Sequence, residues 1–206
     1  MLSKKKIKKF LWFFFSKQVR VEFPMAMIAE CVDREWNLPE GYTMVSPSEE
    51  TDLREWGELL KHEKGFGKWT PERVKEEILD HMIAPDAGTL LYYKGRLVGC
   101  CATVDKSTKR KKIGVGMWLV LEPSHRGLKG LAQALSYRTL AFFVRYGYDK
   151  VYAYTDEERL SAIYLYLTIG AVPAYDSVSS FLKWRKIYKR LKPLIKRAEK
   201  RTSRGN

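Results

Sequence analysis

The stretch PSHRGLKGLAQAL, residues 123 to 135, constrains this chain more than any other segment. It follows IGVGMWLVL, whose branched and aromatic residues are typical of a strand, and it leads into an apolar stripe at helical spacing. Gly127 and Gly130 lie between the two patterns, with Arg126 and Lys129 beside them. We therefore predict a strand, a glycine loop and a long helix that ends at Gly147.

This arrangement favours an anion site. The first turn of a helix presents backbone N–H groups that lack carbonyl partners, together with the positive end of the helix dipole. Glycines let the backbone approach a phosphate without a Cβ in the way, and Arg126 and Lys129 add full charges. A tight turn with no ligand is the alternative, because the spacing matches neither the nucleoside triphosphate nor the dinucleotide motif.

The remaining segments predict further helices and strands. Ser46, Pro47 and Glu49 form a capping pattern at the start of one helix, and Thr70 precedes another. Strand patterns occupy TLLYY (89–93), RLVGCCATV (96–104) and KVYAYT (150–155); RLSAIYLYLTIG (159–170) is helical, and VPAY and SVSSFLKW read as strand. This order predicts an α+β or mixed α/β fold with a sheet of six or seven strands.

The three cysteines are too few and too unevenly placed for a disulfide framework or a four-ligand zinc site. No metal site is expected, and a reducing compartment is favoured. Adjacent Cys100 and Cys101 would point to opposite faces of a strand, so both are expected to pack in the core.

The formal net charge of +14 belongs to the two ends of the chain. Residues 1–20 carry seven Lys or Arg and no acid, and residues 183–206 carry eleven with only Glu199. The body between them has slightly more acidic than basic residues. We therefore predict a basic, aromatic extension at 1–40, a central domain at 41–182 and a basic C-terminal helix or tail at 183–206.

The apolar run in KKKIKKFLWFFFSK is six residues long, far short of the ~20 that span a bilayer, and it does not fit a signal peptide. A cytoplasmic location is expected, with peripheral attachment as an option. As a helix, the segment suits an anionic membrane surface, but its aromatics would equally suit docking on the protein's own core or on a homodimer partner.

The C-terminal segment places apolar residues at helical spacing among ten basic residues between 183 and 201. Membrane surface, nucleic acid and an acidic partner are all compatible with this pattern, and so is a helix packed on the domain. Pro193 is expected to bend or break the helix.

The run VLEPSHRGLKGLAQAL, followed later by RLSAIYLYLTIGAVP, resembles the GNAT superfamily of acyl-CoA-dependent N-acyltransferases. That family has Arg/Gln-x-x-Gly-x-Gly/Ala on its pyrophosphate loop and, later, Asn-x-x-Ala-x-x-x-Tyr-x-x-x-Gly-Phe. The resemblance covers about residues 41 to 180. The matching positions are Gly130, Ala132, Ala162, Tyr166 and Gly170.

The chain departs from that pattern at three positions. Gly127 stands where the loop has Arg or Gln, with Arg126 one residue early. Arg159 replaces the usual Asn, and Ala171 replaces the Phe. These differences bear on which amides contact phosphate and remove one side-chain contact near the pantetheine arm or the strand end.

The resemblance implies a mixed sheet of six to seven strands flanked by about four helices, and acetyl-CoA as the acyl donor to an amine acceptor. Tyr166 would be the general acid for the departing thiolate. The usual Glu on the central strand is missing, so His125 is the first candidate for the base. The residues expected to bind the donor are Leu119, Val120, Leu121, Arg126, Gly127, Leu128, Lys129, Gly130, Leu131, Ala132 and Arg159.

Two readings remain beside this one. A non-catalytic module of the same fold could use its basic ends to bind nucleic acid or an anionic membrane, and a longer acyl chain could replace acetyl. In the enzyme reading, the acceptor is expected near the loop that contains Gly65, Phe66, Gly67 and Trp69.

Overall fold

The computed structural model describes residues 17–30, 32, 36–63, 67–128 and 130–202. The strands are β1 Gln18–Phe23, β2 Tyr42–Val45, β3 Gly88–Tyr93, β4 Arg96–Asp105, β5 Ile113–Leu121, β6 Lys150–Asp156 and β7 Val172–Pro173. The α-helices are α1 Met25–Ala29, α2 Leu53–Leu60, α3 Pro71–Glu77, α4 Leu131–Arg145, α5 Leu160–Thr168 and α6 Val178–Thr202. The predictions for residues 1–16, Cys31, Gly65, Phe66 and Lys129 fall outside the described residues.

The chain forms two compact units, which divide after Val21 and after Ala153. In the larger unit the strand order is β2-β3-β4-β5-β6. The pairs from β2 to β5 are antiparallel, and β5 pairs with β6 in parallel. The predicted domain boundaries at residues 40 and 182 stay predictions.

Two apolar cores lie on the two faces of this larger sheet. One holds Trp56 and Leu60 of α2 together with Cys100. The other holds Leu131 of α4 together with Cys101. The two neighbouring cysteines therefore face opposite sides of β4, as predicted, and burial raises the pKa of both thiols, that of Cys101 to about 12.

The smaller unit contains β1, the end of β6 and β7, in the order β6-β1-β7, with helices α5 and α6. The prediction that SVSSFLKW is a strand is wrong, because a reciprocal cap starts a helix there. Ser180 N–H donates to Ser177 Oγ (3.0 Å), and Ser177 N–H donates to Ser180 Oγ (3.1 Å). The helix continues through Pro193 without a break.

The predicted start of the first long helix is also corrected. Its cap is Asp52, whose carboxylate accepts the N–H groups of Arg54 (2.8 Å) and Glu55 (3.1 Å), so α2 begins at Leu53 rather than at Pro47. The cap at Thr70 is confirmed by its hydrogen bond from Arg73 N–H (3.3 Å).

The seven strands include antiparallel and parallel pairs, which confirms the predicted mixed sheet and α+β fold class. Besides the four α-helices expected to flank the sheet, the described part of the chain has the five-residue α1, which was not predicted, and α6, which covers most of the C-terminal segment expected to be a basic helix or tail. Within those same residues, no helix has both the length and the apolarity needed to cross a bilayer.

Close packing against β5 fixes the position of α4. A Cβ at Gly114 would fall inside the ring of Phe143 on α4, whereas a Cβ at Gly116 would make ordinary contacts with Leu140 Cδ2 at 3.6 Å and Tyr152 O at 3.9 Å. The missing side chain at Gly114 therefore lets the Phe143 ring lie directly on the strand. This contact holds α4 against the sheet.

We predict that Gly114→Ala lowers the free energy of unfolding by about 1–3 kcal/mol, because the new methyl group displaces the Phe143 ring. Gly116→Ala, on the same strand, is the matched control and should stay within about 1 kcal/mol of the wild type. Urea unfolding followed by circular dichroism measures both variants. Equal stability of the two would contradict this account of the packing.

Candidate functional site

An extra residue interrupts the pairing of β5 with β4. Cys100 lies opposite Val120 and Ala102 lies opposite Met117, so Trp118 and Leu119 together face Cys101. Trp118 has φ +51°, in the left-handed region, where a side chain costs about 1–2 kcal/mol. Its carbonyl oxygen accepts a hydrogen bond from Cys100 Sγ at 3.2 Å. Such a bulge bends the strand and increases its twist.

The parallel pairing of β5 with β6 ends just before this bulge, at Gly116 opposite Ala153. Strand β5 nevertheless continues to Leu121, so residues 117–121 extend beyond the last paired position. Since Glu122 N–H donates to Val98 O (2.8 Å), the backbone groups of Leu121 point away from β4. Those of Leu119, two residues earlier, point the same way, whereas those of Val120 face β4.

The turn after β5 is anchored by His125, whose side chain is buried. The hydroxyl of Tyr42 forms a hydrogen bond with Nδ1 of His125 at 2.5 Å, and Nε2 of His125 lies 3.6 Å from Glu122 Oε2. Burial, with a smaller contribution from Tyr93, raises the pKa of Tyr42, which therefore stays protonated near neutral pH. Both ring nitrogens of His125, the predicted candidate for the base, therefore face another side chain of the protein.

Arg126 turns back toward β5 instead of lying along the glycine loop. Its Nε donates to Leu121 O (2.8 Å), and its Nη2 forms an ion pair with Glu63 Oε1 (2.7 Å). These partners, together with a longer contact from Nη2 to His62 O (3.5 Å), set the position of the guanidinium.

The glycine loop itself is open. Gly127 has φ +80° and Gly130 has φ +89°, and no atom of the described residues lies within 4 Å of a Cβ built at either position. Leu128 between them is exposed. Glycine adopts these dihedral angles without strain, and at both positions the backbone carries no side chain of its own.

The N-terminus of α4 follows directly. Gly130 is the cap residue, and neither a side-chain cap nor a first-turn acid is present. The first intrahelical bond runs from Ala134 N–H to Gly130 O (2.8 Å), so the N–H groups of Leu131, Ala132 and Gln133 lack a helical acceptor. A fifteen-residue helix adds its dipole at the same point. These groups are able to hold a diphosphate.

Two predicted site residues belong to the smaller unit. Tyr166 lies in the middle of α5, where it is partly buried, and its carbonyl accepts the N–H of Ala171 at 2.9 Å. Arg159 occupies the N-cap position of the same helix without a side-chain cap bond.

The structure adds Glu63, which the sequence did not single out. This residue follows α2, pairs with Arg126, and lies close enough to Cys100 for its charge to raise the pKa of that thiol further, although burial is the larger cause. The sequence could not indicate this placement, because it depends on a contact between two loops 63 residues apart.

Of the four residues named in the predicted acceptor loop, the structure describes Gly67 and Trp69. Trp69 is buried and packs edge-on against Trp118 of the bulge, with ring centroids 6.5 Å apart. The guanidinium of Arg73 lies 4.2 Å from the centroid of the Trp69 ring. Among the described residues, the indole N–H of Trp69 has no acceptor. Trp69 is therefore fixed beside the point where β5 bends.

Comparison with protein families agrees with these features. The model of the acetyltransferase (GNAT) family matches residues 50–171, and the chain belongs to that family. A comparison with curated proteins gave no match.

Solved structures show the same fold at low sequence identity. A GCN5-related N-acetyltransferase from Sphaerobacter thermophilus has a TM-score of 0.57 at 23% identity over 76% of this chain, which spans only 48% of the length of that protein. Arabidopsis thaliana Naa50, in complex with the bisubstrate analogue CoA-Ac-MVNAL, has a TM-score of 0.51 at 16% identity, covering 63% of this chain and 82% of that one. Glucosamine-6-phosphate N-acetyltransferase from the same plant has a TM-score of 0.51 at 16% identity, covering 68% and 97%.

We predict that Tyr42→Phe destabilises the protein by about 1–3 kcal/mol, because it leaves Nδ1 of buried His125 without its hydrogen-bond partner. Tyr93→Phe keeps the ring contact with His125 and serves as the control, with an expected change below about 0.5 kcal/mol. Denaturant unfolding of both variants provides the measurement. A Tyr42→Phe protein as stable as the control would show that the hydrogen bond does not hold the turn.

Proposed function

We propose that this protein transfers an acetyl group from acetyl-CoA to an amine acceptor by direct attack of the amine on the thioester. The observation that carries the proposal is the uncapped N-terminus of α4, which directly follows a strand edge that extends beyond its last paired position. Membership of the acetyltransferase family supports the reaction class.

The residues present suit this donor. The N–H groups of Leu131, Ala132 and Gln133 and the open backbone at Gly127 and Gly130 would bind the diphosphate. The pantetheine arm carries amide groups, and these would pair with the backbone of Leu119 and with the N–H of Leu121, whose carbonyl already accepts Arg126 Nε, as a strand pairs with an edge. Other proteins of this fold are described with such ligands, including a NatC complex bound to CoA.

The reaction needs a base that removes the ammonium proton, a donor that stabilises the developing oxyanion, and an acid that protonates the departing thiolate. The amine nitrogen attacks the carbonyl carbon, the C–S bond breaks, and the products are an amide and the CoA thiol. Tyr166 is proposed to donate its phenol proton to the departing sulfur. An outward N–H beside the bulge, with Leu119 the candidate donor, would stabilise the developing oxyanion.

The base that removes the ammonium proton has two candidates in the larger unit. His125 is the predicted one, but its contacts with Tyr42 and Glu122 favour a role in holding the turn. The carboxylate of Glu63 is the second, since it lies beside Arg126 at the end of β5. The variants His125→Gln and Glu63→Gln distinguish the two candidates. Only the variant that lacks the base should lose the acidic limb of the pH–rate profile.

The proposed reaction requires an acceptor that carries an amine. Family relatives of this fold include an aminoglycoside acetyltransferase as well as the aminosugar phosphate enzyme, and both names describe acetylation of an amine. We propose a primary amine that enters beside Trp69 and Trp118.

We predict that Gly130→Asp weakens acetyl-CoA binding at least about tenfold, because a carboxylate at the helix N-terminus repels the diphosphate. Gly95→Asp is the matched control: Gly95 has φ +82° and equally open surroundings, but it lies in the β3–β4 turn. Both changes impose the same backbone strain, so isothermal titration separates strain from ligand repulsion. Equal affinity in the two variants would remove the loop from the donor site.

We predict that Tyr166→Phe lowers kcat by about 10²-fold and leaves acetyl-CoA affinity unchanged, because only the proton donor is lost. Tyr164→Phe, on the same helix, should keep wild-type turnover. The release of CoA thiol with a panel of amino sugars, aminoglycosides and peptide N-termini is the readout. Wild-type turnover by Tyr166→Phe would end its assignment as the acid.

A further inference from the structure

Helix α6 has a buried side and an outward side of different chemistry. Trp184, Ile187 and Leu191 are buried. On the outward side, exposed residues recur at alternating intervals of four and three, which places them in one line along the helix. This line, the α6 stripe, consists of Val178, Leu182, Arg185, Lys189, Lys192 and Lys196.

The first two turns of the helix expose apolar side chains. Val178 is 77% exposed, Phe181 is 55% and Leu182 is 48%. The ring of Phe181 lies 5.9 Å from that of Tyr175, which is also exposed, so these four residues form one patch, the apolar tip. Single exposed apolar residues are common on protein surfaces, but a cluster of this kind marks an interaction site.

The rest of the stripe is cationic. Among the described residues, none of Arg185, Lys189, Lys192 and Lys196 forms an ion pair. The sequence has no acid between Asp176 and Glu199, and Asp176 is paired with Arg20 at 3.3 Å. Like charges three and four residues apart on a helix repel each other. An anionic surface that covers this face would relieve the repulsion and stabilise the helix.

We propose that α6 docks the protein on an anionic membrane surface, with the apolar tip entering the headgroup region and the cations of the α6 stripe contacting lipid phosphates and carboxylates. From Val178 to Lys196 the stripe is about 27 Å long, enough for several headgroups at once. Apolar insertion combined with basic contacts is the arrangement that gives peripheral helices their affinity for anionic bilayers.

Other partners would match only one part of this surface, either the apolar tip or the cations of the α6 stripe. A nucleic acid would neutralise the cations but would leave Val178 and Leu182 in water. A second copy of the chain would cover the tip, but its own stripe is equally cationic and offers no anions to the stripe of the first copy. Residues 1–16 carry five lysines and no acid, so they cannot neutralise the stripe either.

The test is co-sedimentation of the full chain with vesicles of phosphatidylcholine containing about 30 mol% phosphatidylserine, compared with pure phosphatidylcholine. Phe181→Asp should weaken binding to the anionic vesicles about tenfold or more. Ile83→Asp is the matched control, because Ile83 is 53% exposed but belongs to the larger unit, and it should bind like the wild type.

A second pair tests the charges. Arg185→Glu/Lys189→Glu should weaken binding about tenfold or more, whereas Lys109→Glu/Lys111→Glu, with the same change in net charge, should have a much smaller effect. Circular dichroism and acetyl-CoA titration confirm that each variant is folded, so a failure here is distinct from a failure of the proposed activity.

Three results would overturn the proposal. The first is binding that does not depend on phosphatidylserine, and the second is Phe181→Asp and Ile83→Asp binding equally well. The third is a wild-type chain that leaves vesicles unbound while shifting polyuridylate in a gel, or that forms a dimer by light scattering that Phe181→Asp dissolves.

Discussion

The bulge at Trp118 is the constraint on which the arrangement of the candidate site depends. An extra residue with left-handed backbone bends β5 just after its last pair with β6. Residues 117–121 of β5 lie beyond the last pair with β6. The strain is retained because Trp118 packs against Trp69 and its carbonyl accepts the Cys100 thiol.

The same strand also positions the helix that follows. Gly114 admits the ring of Phe143, which holds α4 against β5, while Tyr42 and Arg126 fix the turn between them through His125 and Leu121. The strand edge and the free amides of α4 are therefore held by neighbouring contacts of one strand and one helix. Preorganised donors of this kind need no rearrangement when an anion binds.

Local sequence chemistry was enough to predict part of this picture. The glycine loop, the helical pattern of α4 and the β3–β4 turn depend on residues close together in the chain, and the sequence predicts them from those residues. The bulge was not, since GVGMWLVL has the composition of an uninterrupted strand. The Arg126–Glu63 pair was missed because it joins distant loops, and α6 was misread at its start because the serines of its cap also suit a strand.

The burial of Cys100 has a chemical consequence for the proposed reaction with a thioester. Its sulfur lies at the bulge, close to where an acetyl group would be presented, and a thiolate in that position would compete with the acceptor amine for the acyl carbon. Burial raises its pKa and the sulfur is engaged with the Trp118 carbonyl, so it persists as a neutral thiol. Under the proposed function, the core that shapes the strand therefore also keeps a competing nucleophile uncharged.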